Sequence, residues 1–500
     1  MFGRLLANRH GNIPVAFAIA AIPVVGSVGA VVDYARAHDE EVVARQALET
    51  TAREANRLAT VLPPAEIEKA VAGIYASEAG GARGRVSPFA VSVTGDSVTV
   101  STRLSVPTTF LGLIGVDEIN IDMAARSVAS DLTYEVALVL DTSGSMAGSR
   151  IASLRAAAGG LVGALFAANA RSPAQDPVRI AVVPFAASVN VGPDNAGRPW
   201  LDRGRGGEDD RLALFDALKD VAWAGCVEAR PRPYDVDDSP PDPAAPATLF
   251  VPMFAPDEPD LPGFDNNYLA DSSDACSLAD RRRTTPGRAA AAEARLCKYR
   301  NAAALPEGHR NGTVVGPNLN CTSAPLVPLS SDRSAVVSAI DALSARGMTN
   351  IHEGIMWGWR TLSPSAPFVE GRAYDDHGNR KILVVMTDGE NAYDTYANFN
   401  GSMYGAYGYV ADGRLGMTAS DDAAVVARMN ERTVAACANA KAAGVLVYTV
   451  SFRVADPATL SLLADCASAP EMAFRSDSGI ALASAFADIS NSIAMLRVTD

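Results

Sequence analysis

Histidine is scarce in this 500-residue chain, with five scattered copies at His10, His38, His309, His352 and His377. No H-E-x-x-H pair is formed, which removes the zincin-type hydrolase reading. Neither the phosphate loop G-x-x-x-x-G-K-[ST] nor the serine elbow G-x-S-x-G occurs, so nucleotide hydrolysis and α/β-hydrolase chemistry have no basis. Basic residues are also in deficit: 43 Lys and Arg against 57 Asp and Glu leave a formal charge of −14. A nucleic-acid partner is thereby disfavoured, because a phosphate backbone needs clustered cations. Cysteine is limited to Cys226, Cys276, Cys297, Cys321, Cys437 and Cys466, with no C-x-x-C spacing. An even number without metal-type pairs predicts disulfides and an oxidising compartment, with Cys437 bonded to Cys466 and the other four paired internally.

The longest charge-free apolar run lies near the start of the sequence. Ile13 to Val32 carries no charge, and at ~1.5 Å per residue it reaches the ~30 Å of a bilayer core. Arg4, Arg9 and His10 precede it, and Asp33, Asp39, Glu40 and Glu41 follow. The positive-inside rule then puts residues 1–12 in the cytoplasm and everything after Val32 outside. Ala35-Arg36-Ala37 offers a small-x-small cleavage site, but the run exceeds the ~7–15 residues of a signal-peptide core. A retained anchor is the expectation.

Beyond the span, residues 33–130 read as an α+β stem. Ala44, Leu48, Thr51, Ala55, Leu58 and Leu62 form one helical stripe. A second helix is predicted over 64–78 and strands over 89–93, 97–104 and 119–124. From residue 131 strands alternate with helices, the mark of a doubly wound α/β domain with a parallel sheet. That domain is expected in two parts, 131–191 and 329–500, with strands at 178–184 and 187–191 forming an edge hairpin. The interruption at 192–328 holds 17 of the 30 prolines and is expected to project as a disulfide-stapled insertion. Its Asp257, Glu258, Asp260, Asp265, Asn266 and Asn267 fit no defined calcium loop and read as solvated surface.

Asp141-Thr-Ser143-Gly-Ser145 follows the buried run 135–140 directly. Strand ends at this side of a parallel sheet are where ligands bind. Thr349 opens a helix, and Asp388 follows the apolar strand 381–386, so five oxygen donors from three loops converge: Asp141, Ser143, Ser145, Thr349 and Asp388. Hydroxyls and carboxylates suit a hard cation, Mg²⁺ first and Mn²⁺ or Ca²⁺ otherwise. His352, near Thr349, is expected on a helix surface, and Trp357 and Trp359 in core packing.

These three motifs, in this order, resemble the metal-ion-dependent adhesion site of von Willebrand factor A (vWA) domains. The resemblance implies a Rossmann-like fold and a metal that accepts an acidic side chain from a protein partner. Over its length the chain is similar to TadG-like proteins of the Tad/Flp pilus assembly system, through Arg9-His-Gly11-Asn-Ile, Val32-Asp-Tyr34-Ala-Arg, Trp223-Ala-Gly-Cys226, Trp357-Gly-Trp359-Arg and Phe185. That likeness implies a single-pass inner-membrane protein with its bulk in the periplasm, binding pilus assembly components. Prepilin-like relatives carry Glu five residues after a processing Gly; Ala16 stands there, which favours retention of the anchor.

A non-enzymatic binding role is therefore expected. The alternatives are a surface adhesin or mechanosensing protein with an extracellular ligand, and a metal-dependent hydrolase, for which Glu390 is the nearest base.

Overall fold

The computed structural model describes residues 12–495 except 60–61, 81–83, 95–96, 129–131, 171, 173, 205–209, 219–220, 311–312, 396–400, 419–420 and most of 259–308, of which 266–269 and 299 are described. The chain divides into two compact units, residues 1–131 with two short segments from elsewhere, and essentially the rest.

In the first unit a single helix α1, Asn12–Leu58, runs through Pro23 and out of the apolar segment without a break. Helix α2, Pro64–Glu78, packs beside it. The sheet contains β1, Arg85–Val86, β2, Ala90–Thr94, β3, Ser97–Pro107, and β4, Glu118–Val128. All pairings are antiparallel, with β3 central, β4 along one side and β2 and β1 along the other. One sheet face is apolar. Val98, Val100, Leu104, Val106, Met123 and Ala125 cover the helical stripe Ala44, Leu48 and Ala55 and the α2 residues Ile67, Val71 and Tyr75. Thr51 is buried within the same stripe because its hydroxyl donates to the Ala47 carbonyl (2.7 Å).

The second unit is built on six strands: β5, Thr133–Asp141; β6, Val178–Phe185; β7, Val327–Ser330; β8, Asn379–Thr387; β9, Leu446–Phe452; and β10, Ala473–Ser476. Their spatial order is β10-β9-β8-β5-β6-β7, parallel throughout except for β7 against β6. Numbered within the domain this is 6-5-4-1-2-3, a doubly wound sheet whose order reverses between β5 and β8. Helices α3, Ser149–Ala168, α4, Arg333–Asp341, and α8, Gly479–Met495, share one apolar cluster with Val136, Leu138 and Leu140; α5, Ile351–Leu362, α6, Asp422–Ala442, and α7, Pro457–Cys466, share the other with Ala137 and Val139. Strand residues alternate between these faces, so both must be apolar. By length and composition α3 is apolar enough to cross a membrane; Leu154, Ala158, Leu161, Val162 and Leu165 instead lie in the core.

Three expectations are corrected. Residues 187–191 form no hairpin strand: Val189 bridges Phe185, Asn190 bridges Cys226 and Pro325, and the antiparallel edge comes from β7 after the insertion. The insertion does not project as a separate body. Its Trp200, Leu212, Phe215, Trp223, Phe250 and Phe254 join the cluster of Trp357 and Phe185, and Cys226 bonds Cys321 across 95 residues. Asp257, Glu258 and Asn266 are buried rather than solvated: Asp257 Oδ1 accepts the Tyr268 and Leu269 N–H groups (2.6 and 2.7 Å), and Glu258 Oε2 accepts that of Asn266 (2.9 Å). Asp260 and Asp265 lie outside the described residues, as do Cys276 and Cys297. Cys437 is bonded to Cys466.

Candidate metal centre

Asp141 is the last residue of β5, and the parallel register sets it beside Thr387 at the end of β8, since Leu140 pairs with Met386. The chain must leave the sheet at both points, which opens a crevice at the reversal of strand order. Ser143 and Ser145 lie on the turn into α3 and Asp388 on the turn after β8. The Asp141 carboxylate is fully buried; Oδ1 accepts the Ser143 N–H (2.7 Å) and Oδ2 the Thr387 hydroxyl (2.6 Å). Ser143 Oγ and Ser145 Oγ lie 2.9 Å apart, and Ser145 Oγ donates to Asp388 Oδ1 (2.6 Å). Asp388 also pairs with the Arg150 guanidinium.

The third loop is laced in through its backbone. Gly144 N–H donates to the Gly347 carbonyl (2.8 Å), Arg346 N–H to that of Thr142 (2.7 Å) and Ala392 N–H to that of Thr349 (2.9 Å). Thr349 is thus held in the same loop cluster by main-chain bonds, whereas Asp141, Ser143, Ser145 and Asp388 are joined by direct bonds at their own atoms. Asn350 caps α5 through the Glu353 N–H (3.1 Å), and Asn391 Oδ1 accepts the Ile351 N–H (2.8 Å). Helix α5 comes this close to β5 because Gly354 and Gly358 lack side chains: a Cβ at Gly358 would fall 2.3 Å from Val139 Cγ2.

Electrostatically the floor of the crevice is short of positive charge. Burial pushes the Asp141 carboxyl up to about 6, hydrogen bonds from Ser143 and Thr387 pull against it, and Asp388 adds repulsion. A cation fits this donor set. Around an octahedral ion with ~2.1 Å bonds, adjacent oxygens stand about 3 Å apart, close to the Ser143–Ser145 separation. Among the described residues no group of three His, Cys, Asp or Glu forms that could hold a metal ion, so a cation here would have to be held by alcohols and water beside two carboxylates. Ser145 is exposed while Asp141 is buried, which leaves one side of the crevice open to solvent.

His352 is not on a surface. It is fully buried, with Nδ1 2.8 Å from Tyr407 Oη and Nε2 2.9 Å from the Asp235 carbonyl. The carbonyl accepts only, which assigns the proton to Nε2 and makes Nδ1 the acceptor. Trp357 and Trp359 are core residues. Sequence reasoning did not single out Thr387, Arg150 or Asn391. Arg150 carried a signal: a cation in the first turn of α3 opposes the helix dipole, so it needs another task.

No protein-family model and no curated protein matches the chain. Among solved structures its neighbours are pilus adhesins and von Willebrand factor-domain proteins. It is similar to the pilus adhesin SpaC from Lactobacillus rhamnosus GG, at 12% identity and a TM-score of 0.35 over 82% of this chain and 34% of that one. The vWF domain of the type V pili tip protein Mfa5 from Porphyromonas gingivalis gives 11%, 0.34, 75% and 98%. Proximal thread matrix protein 1 from the mussel byssus, with a zinc-occupied MIDAS motif, gives 12%, 0.30, 73% and 47%. The chain spans about a third of the length of SpaC.

Proposed function

We propose that this chain is a membrane-anchored, extracytoplasmic vWA protein, TadG-like in its architecture, that binds a protein partner through a divalent cation held by Asp141, Ser143, Ser145, Thr349 and Asp388. The observation that carries the reading is the buried Asp141 carboxylate, which meets only neutral donors and a second carboxylate at the switch point of the sheet. When bound, Mg²⁺ or a similar ion supplies an electron-poor centre for an acidic side chain. The protein's own part is positional. Thr387 and the Ser143 N–H fix Asp141, and Asn391 ties the Asp388 loop to α5, so these donors are set before any partner arrives.

Residues 13–32 are read as the anchor; the charge asymmetry about that run puts the bulk of the chain outside the cytoplasm, and the TadG-like resemblance implies the inner membrane and the periplasm. The partner is read as a pilus assembly component. Hydrolysis is disfavoured: a general base must lie within hydrogen-bond reach of the proton it removes, and Glu390 is exposed to solvent rather than buried beside Asp141.

A photo-crosslinker at position 390, used in living cells, tests the reading. The expected result is one dominant protein adduct that disappears on chelation and in Asp388→Ala. Capture that is indifferent to both treatments contradicts a metal-mediated interface.

A further inference from the structure

The first unit contains an apolar feature that neither its own core nor the cation site uses. Between β3 and β4 the nine residues Thr108 to Val116 carry no charge. Phe110 is 38% exposed, Leu113 81%, Ile114 73% and Val116 43%. Four apolar side chains on one short loop are costly in water.

The position of this loop along α1 is fixed at both ends of the hairpin. Asn56 Nδ2 donates to Ser127 Oγ (3.2 Å) at the open end. At the tip, Asp33 accepts the backbone N–H groups of Thr109 (3.0 Å), Phe110 (2.7 Å) and Leu111 (2.8 Å), and Arg36 donates to Thr109 Oγ1 (2.9 Å). Phe110 presses on Gly29 so closely that a Cβ there would lie 2.5 Å from its own Cβ. The sheet therefore points its tip back along α1 towards the apolar run, and reaches residues 29–33, where that run ends. On α1 at this level Val24, Val28 and Val31 are exposed as well.

Besides the three N–H groups bonded to Asp33, further backbone groups of the loop are paired within it. Leu113 N–H donates to Phe110 O (3.1 Å), Val116 N–H to Leu111 O (3.1 Å) and Gly115 N–H to Gly112 O (3.2 Å), while the Thr108 hydroxyl donates to Val116 O. Gly115, at φ 89°, closes the turn. A loop with most of its backbone N–H groups paired and its apolar side chains turned out is suited to the edge of a bilayer, where the remaining carbonyls still meet interfacial water.

We infer that residues 110–116 form a second membrane contact, with Leu113 and Ile114 seated in the outer leaflet beside the end of the anchor helix. Asp33 and Arg36 lash the loop to the helix, so the stem is held at a fixed rotation about α1 rather than swinging on one span. The inference rests on the reading of residues 13–32 as an anchor.

The test is fluorescence quenching of the full chain in nanodiscs containing lipids brominated on the acyl chains. Leu113→Trp is compared with Val24→Trp on the anchor and with Ser92→Trp, an exposed position on β2. Emission of Trp200, Trp223, Trp357 and Trp359 is subtracted using the unsubstituted protein. The expected result is a blue-shifted maximum and loss of most of the added emission at positions 24 and 113, with none at 92. Quenching at 24 without quenching at 113 overturns the loop contact while sparing the anchor, and is also the outcome if a protein covers the loop. No quenching at either position overturns both.

Discussion

Strand β5 carries a buried carboxylate near each end, and the two are treated in opposite ways. Glu135 is fully buried and surrounded by cations: Lys381 Nζ lies 2.7 Å from Oε2, Arg179 pairs with Oε1, and Arg372 adds its N–H (2.8 Å) and its guanidinium. Asn379 completes the shell (3.1 Å). Six residues on, Asp141 is equally buried and receives only a backbone N–H and hydroxyls. One carboxylate is neutralised by the fold. The other is left with a charge that only something from outside can match, and that contrast is the physical basis for assigning a cation to the Asp141 end.

The contrast is broken most severely at Glu135. Glu135→Ala strands Lys381 in the core, and loss of one partner of a buried pair costs about 3–5 kcal/mol. Urea unfolding measures this, and a loss below ~1 kcal/mol would show that the cations at this end are solvated. Asp141→Asn should behave differently. Without divalent ions its unfolding free energy is at least that of the parent, while the stabilisation by Mg²⁺, about 2.7 kcal/mol at a hundredfold excess over Kd, is abolished. Thermal melts with and without the ion make this comparison.

A buried group that stays neutral sharpens the point. Burial, with Arg360 adding repulsion, pulls His352 down to about 3 from its ordinary 6.5. The unfolded chain therefore binds the extra proton between those values, and stability falls as pH drops below ~6.5, by up to about 1.4 kcal/mol per unit. Glu353, with Oε1 3.6 Å from His352 Nδ1, does not prevent this. His352→Gln, which keeps a donor for the Asp235 carbonyl, should flatten the slope between pH 6 and 4; an unchanged slope would place the titration elsewhere. The smallest effect belongs to Arg150, a partly exposed partner of Asp388. Arg150→Ala should change stability by less than ~1 kcal/mol while tightening Mg²⁺ binding, because a competing cation is removed. Weaker binding would assign Arg150 a supporting role instead.

Much of this was legible in the sequence because it depends on local pattern. Continuous apolar runs at 135–140 and 381–386 marked strands buried on both faces, and D-x-S-x-S directly after the first marked the loop. The stripe from Ala44 to Leu62 marked the face of α1 that meets its sheet. What escaped depends on distant partners. His352 is buried by Asp235 and Tyr407, more than 50 residues away on either side. The edge strand β7 contains Pro328, a residue that weakens a strand reading yet is tolerated at an edge. The insertion reads as polar and proline-rich, but its few aromatics, Trp200, Phe250 and Phe254 among them, are spaced by loops and only meet α5 once the chain folds.

The central claim is that the Asp141 carboxylate, which receives only a backbone N–H and a hydroxyl, lacks a cationic partner within the protein and that the site takes up a divalent ion. Calorimetric titration of Mg²⁺ and Mn²⁺ into the purified, oxidised protein tests it directly. The account predicts one saturable site, lost in Asp141→Asn. Heats no larger than dilution, or a site that survives Asp141→Asn unchanged, would contradict it.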